Sequence, residues 1–142
     1  MDVALGKRQI KQKVFGVSLA PGNPELHFGG TNAQLYSNPI EFHKVILDNG
    51  KPVLSSWILE NARVYVGDSN RPVLNGLKTI IVTDSLLTWG PRNEVKNFYK
   101  RIQGSKRVDR VGFKGLYEYP CTDRLKVKLS WGDSIVKWEY LG

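Results

Sequence analysis

Apolar and polar residues alternate along most of this chain, which is the period of half-buried β-strands. Val14-Phe15-Gly16-Val17-Ser18-Leu19 alternates in this way, Pro21-Gly22-Asn23-Pro24 is turn chemistry, and Glu25-Leu26-His27-Phe28 predicts a second strand closed by Gly29-Gly30. Ile40 to Ile46 puts isoleucine, phenylalanine, lysine and isoleucine on one parity, and Asp48-Asn49-Gly50 signals a hairpin turn. Val53 to Leu59 and Ala62 to Val66 predict another strand pair, the second ending at Gly67-Asp68. Val73-Leu74 and Leu77 to Val82 then lead into Thr83-Asp84-Ser85-Leu86-Leu87-Thr88-Trp89-Gly90-Pro91. Read physically, Thr79 to Pro91 is a buried strand, a tight loop, a second short strand and a break.

Only one segment has a convincing helical period. Val95, Phe98, Tyr99 and Ile102 fall at i, i+3, i+4 and i+7, which predicts a helix over about residues 91–103, with Pro91 near its start and Gly104 beyond its end. Arg107 to Lys114 is basic and irregular. Leu125, Val127 and Leu129 alternate with Arg124, Lys126 and Lys128, whose shared side is expected to face water, and Trp131-Gly132-Asp133 turns into Ile135 to Leu141. Residues 1–13 carry Lys7, Arg8, Lys11 and Lys13 and read as a basic arm or a short helix. The pattern predicts a mainly β domain of antiparallel sheets with one α-helix.

Composition narrows the class. At 142 residues, 41% hydrophobic and 11% aromatic, the chain is expected to be a single domain, 1–142, with a real core. No apolar run approaches a membrane span, and the first residues lack a signal-peptide core. The net charge of +8 favours solubility and permits attraction to anionic polymers or surfaces. The lone Cys121 rules out a disulfide within the chain and any multi-cysteine zinc site.

The Thr79–Pro91 stretch closely resembles the active-site loop of pepsin-like aspartic proteases, whose signature is Asp-Thr-Gly-Thr-Ser-Leu, an apolar residue, an aromatic and Gly-Pro. Aligned without gaps on Gly90-Pro91, the family's catalytic aspartate falls on Val82, Thr83 keeps the threonine, Asp84 stands at the glycine and Ser85 at the next threonine. Aspartic proteolysis needs two carboxylates sharing one proton around a water, and valine can neither take nor give a proton. The alternative register makes Asp84 the catalytic residue, with two residues deleted before Trp89.

The resemblance runs from Val14 to Trp138. Phe15 to Leu19, Glu25 to Asn32 and Leu35-Tyr36 are similar to the start of the C-terminal lobe in fungal pepsin-like enzymes; the Trp57 strand, Val64-Tyr65-Val66, the helix with Val95 and Phe98-Tyr99, and Tyr119-Pro120-Cys121 follow in the family's order. It implies sheets forming part of a pepsin-like lobe, or a partial barrel, in a family that is largely secreted; without a leader the compartment stays open. It also implies a truncated lobe, in which the cysteine that pairs with the one matched by Cys121, and the other lobe with its own aspartate, are missing.

Other constellations carry less. Neither His27 nor His43 has a metal-ligand companion, Cys121 reads as a buried or orphaned thiol, and no nucleotide motif is present, so no metal and no cofactor are expected. Lys100, Arg101, Lys106, Arg107, Arg110 and Lys114 run from the helix end into the next loop. They either complement the helix dipole or form an anion patch, and the absence of interleaved aromatics gives base stacking little support. Trp57, Trp89, Trp131 and Trp138 are expected mostly to fill the core, Trp89 at the place of a packed aromatic in the family.

Three functions follow as expectations. The first is a non-catalytic pseudo-protease that binds a protein or peptide, including a homodimer through exposed strand edges. The second is a homodimeric aspartic protease in which each chain supplies Asp84. The third is a basic module for anionic glycan or nucleic acid. None of them involves a membrane.

Overall fold

Antiparallel pairing organises the strands in the computed structural model, which describes residues 6, 10–19, 22–37, 39–48, 51–52, 56–85, 87–121, 125–132 and 138–141. The chain divides into two compact units, 1–41 and 42–142. In the first, β1 (Phe15–Ser18) pairs with β2 (Glu25–Phe28), Phe15 opposite Phe28 and Ser18 opposite Glu25. Asn32 then caps a 3-10 turn, Ala33–Leu35, by accepting the Gln34 amide, while its amide group donates to Glu25. Of the expected arm 1–13, residues 1–5 and 7–9 lie outside the described residues; 10–13 form neither helix nor strand. Pro21 of the expected turn is also outside them.

The second unit is built on a four-stranded sheet in the order β10-β9-β5-β6. β5 is Trp57–Val66, β6 is Leu74–Ile81, β9 is Lys126–Ser130 and β10 is Trp138–Leu141. Two-stranded ladders join β3 (Leu47–Asp48) to β4 (Lys51–Pro52) and β7 (Lys106–Arg107) to β8 (Tyr117–Glu118). Asn49 and Gly50 of the expected hairpin turn, residues 53–55 and residues 133–137 lie outside the described residues, as does Arg124. The helix, α1, spans Arg92–Tyr99, and single-turn bonds carry its path on to Ile102, so it is shorter than the periodicity suggests. Its expected apolar face is half-buried at Val95, Phe98, Tyr99 and Ile102. The protein is therefore mainly β, with antiparallel sheets and one α-helix among the elements described; the four-stranded sheet is open, not a closed barrel.

Several expectations are corrected by the ladder. The two strands read from Val53–Leu59 and Ala62–Val66 are one strand from Trp57, because the break at Glu60-Asn61 is a bulge and not a turn. Leu59 faces Thr79, but Ala62 faces Leu77, so β5 carries one extra residue there, with Asn61 at φ 57°. Val64 faces Leu74, so β6 gives the residue back around Gly76, whose φ of 69° suits glycine. Residues 40–46 form no strand. Their backbone meets the sheet through the Ile46 amide, which donates to the Ile58 carbonyl, and Phe42, on the parity of Ile40 and Ile46, is 88% exposed.

The core sits where β5 meets β9. Ala62, Tyr65, Ser130 and Trp131 are buried there. The Tyr65 and Ser130 hydroxyls lie 3.4 Å apart, and the Trp131 indole N–H donates to Thr79 Oγ1 at 2.8 Å. The Arg63 guanidinium donates to the Gly132 carbonyl, and the Gly132 amide donates to Asn61, fastening the bulge to the end of β9. Lys126 and Lys128 are half-buried rather than facing water outright, and Lys126 ends on Asp68 at 3.4 Å.

Candidate functional site

The strand that delivers the diagnostic loop is the sheet's outer strand. β6 pairs with β5 on one side, and Ile80, Ile81 and Val82 are exposed, where the sequence suggests a buried strand. A single pairing, with no second neighbour among the described residues, explains this: an outer strand has fewer neighbours to cover its side chains. Val82 is 54% exposed, Thr83 and Asp84 form a bend, and the Ser85 hydroxyl both accepts from the Leu87 amide and donates to the Leu87 carbonyl. No second strand follows among the described residues, Leu86 being outside them, because the Ser85 turn uses the backbone groups a ladder would need. Trp89 is not packed but 76% exposed. Trp131 is the buried tryptophan among the three whose side chains are described, so the expectation of core tryptophans fails for Trp57 and Trp89.

Beyond Pro91 the chain builds a groove of about 760 Å³ between α1 and the β7–β8 hairpin. Arg92, Lys96 and Lys100 stand at four-residue spacing along one side of the helix, and Lys106, Arg107 and Lys114 line the opposite wall. Tyr99 and Tyr117 stack in parallel, 4.4 Å between ring centroids, and join the two walls; Trp89 stands at the lining as well. Gly104 allows the tight passage from helix to hairpin. Its φ is 75°, and a Cβ there would lie 2.7 Å from the Pro120 ring. The Ser105 hydroxyl donates to the Tyr99 carbonyl, and the Val108 amide donates to Leu116, closing the turn.

The charges of this groove are unbalanced. Among the described residues no carboxylate lines it. Glu118, on the hairpin, accepts from Lys106 at 3.1 Å and from Arg110 at 3.2 Å. The Lys106 hydrogen bond, helped by the charges of Lys106 and Arg110, holds Glu118 below the usual carboxylate range. Burial, with Tyr119 and Tyr117 adding to it, raises the Tyr99 hydroxyl above its ordinary value, so it stays neutral.

Of the basic residues singled out from sequence, the structure brings Lys100, Lys106, Arg107 and Lys114 together, while Arg101 and Arg110 are not in the lining. Sequence reasoning misses Arg92, Lys96, Trp89, Tyr99 and Tyr117. The four-residue spacing of Arg92, Lys96 and Lys100 is the signal that could have found the row. Aromatics absent from the basic run in sequence are supplied by folding. Cys121 is an exposed free thiol, not a buried one. His27 lies 3.4 Å from Glu25, and no metal-binding group of three or more His, Cys, Asp or Glu occurs among the described residues. No helix among them is long and apolar enough to cross a membrane.

A sequence model of the eukaryotic aspartyl protease family matches residues 1–134. The chain belongs to that family, and its open antiparallel sheets, with one α-helix among the described elements, fit a portion of a pepsin-like lobe. No curated protein and no solved structure matches the chain.

Proposed function

We propose that this chain is a non-catalytic member of the family, a pseudo-protease resembling part of the C-terminal lobe of fungal pepsin-like enzymes, and that it acts by binding a protein or peptide. The observation that carries the reading is Val82, an aliphatic side chain at the place where the family pattern has its acid, next to Asp84 at the place of the glycine. A valine cannot hold or move the proton of the attacking water. What supports binding is the neighbouring strand. β6 offers an outer edge, and Ile80, Ile81, Val82 and Leu87 expose apolar surface beside it. An extended segment of a partner would add to β6 as a further strand, main-chain hydrogen bonds giving affinity and the aliphatic residues giving fit.

Peptide hydrolysis across acidic pH tests the first half. No turnover is expected, with Asp84→Ala changing nothing. Acid-optimum cleavage that disappears in Asp84→Ala would make the protein the two-chain protease instead. The nearest partner for the second half is another copy. Size-exclusion with light scattering is expected to show association rising with concentration and lost in Ile80→Lys, and a clean monomer at high concentration would remove the homodimer.

A further inference from the structure

The groove between α1 and the hairpin is a different surface from the β6 edge, and its chemistry asks for a different ligand. We propose that it binds single-stranded nucleic acid, a base stacking on Trp89 and the sugar–phosphate backbone held by Arg92, Lys96, Lys100, Arg107 and Lys114.

Charge comes first. Among the described residues six cations and no carboxylate line the groove, and of these six Lys106 alone is ion-paired, to Glu118. Among the described residues no ion pair joins Arg92, Lys96, Lys100, Arg107 or Lys114. Like charges four apart on a helix repel, so the row of Arg92, Lys96 and Lys100 opposes the helix that carries it. Phosphates laid along the row would relieve that repulsion and release counterions.

The aromatic residues decide between polyanions. A sulfated glycan or an acidic peptide is satisfied by cations alone, whereas nucleobases also use a flat aromatic face, as in sequence-tolerant single-strand sites. Trp89 presents one, 76% exposed at the lining of the groove. The stacked Tyr99 and Tyr117 rings line the same groove and join its two walls. Shape excludes a duplex as the favoured ligand. Reading a duplex requires an element that projects into its groove, whereas here the helix is one wall of a concavity, which admits a strand.

Fluorescence anisotropy of the whole chain with a labelled oligothymidylate of about twelve nucleotides tests the site. Affinity is expected to fall with salt at a log–log slope of about −3, the value for roughly four phosphates contacted on a single strand. Trp89→Ala is expected to weaken binding about tenfold, with Trp89→Phe recovering most of it. Lys96→Glu should weaken it far more than Arg71→Glu, an equal change of charge on an exposed residue outside the groove. Three results would overturn the proposal: no binding at low salt, equal losses in Lys96→Glu and Arg71→Glu, or heparin fragments or polyglutamate bound as tightly as the oligonucleotide and indifferent to Trp89→Ala. The circular dichroism of each variant, unchanged from the parent, keeps a folding defect from being read as lost binding.

Discussion

β5 and β6 are neighbours in one ladder, and both are rich in aliphatic residues, yet β5 buries Ala62 and Tyr65 while β6 buries no residue. The difference lies in position, not composition. β5 has β9 on one side and β6 on the other, with Ser130 and Trp131 of the β9 end closing over it; among the described strands β6 has β5 alone. The lesson is that the inner seam holds the unit together, while the outer strand and the helix–hairpin groove hold surface that stability does not consume. Residues whose burial is worth ~1.5–3 kcal/mol inside a core are left outside on β6, where a partner can cover them.

The contrast is broken most directly by overfilling the seam. Ala62 is 0% exposed, so Ala62→Leu is expected to cost about 2 kcal/mol in denaturant unfolding. Ile80→Lys on the outer strand should stay within about 0.5 kcal/mol of the parent in the same measurement. If the two variants lost equal stability, β6 would be part of the core.

A smaller effect is expected where the two regions touch. Thr79 lies on β6 but accepts the Trp131 indole N–H at 2.8 Å, so Thr79→Val leaves a buried donor without its acceptor. The expected loss is about 1–2 kcal/mol, read by thermal or denaturant unfolding, with Thr79→Ser nearly neutral.

The smallest effect is local to the hairpin and depends on pH. Glu118 titrates lower in the folded protein than in the unfolded chain. Its pairing with Lys106 therefore contributes fully above the ordinary glutamate pKa of about 4.3 and is lost as pH falls through the lower folded value. Hydrogen exchange in acid is expected to open the Val108–Leu116 bond before the β5–β9 ladder, and Glu118→Gln should remove that pH dependence. Unchanged exchange on acidification would show that the ion pairs do not hold the hairpin.

Much of this architecture was legible in the chain. The β1–β2 hairpin, β6, β9 and the apolar face of the helix follow from local period, because neighbours in sequence supply their pairing or their stripe. Misreadings arise where a distant segment decides. Glu60-Asn61 looks like a turn, and only the Gly132 amide and the β6 register make it a bulge. Trp89 looks like a core residue, but hydrophobicity alone does not state whether a covering layer exists. At the site, the basic run was visible, while its aromatic partners were not, since Tyr117 meets Tyr99 only through the hairpin's return.

The two irregularities of the β5–β6 ladder cancel. One strand gains a residue at Asn61, the other at Gly76, and beyond both the original correspondence returns. Losing either alone would turn the Trp57–Leu59 end of the ladder over, sending its outward side chains inward and its inward ones outward. Losing both would restore the facing. Changes in chain length at these sites are thus constrained to come in couples, like a frameshift and its suppressor, one on each strand.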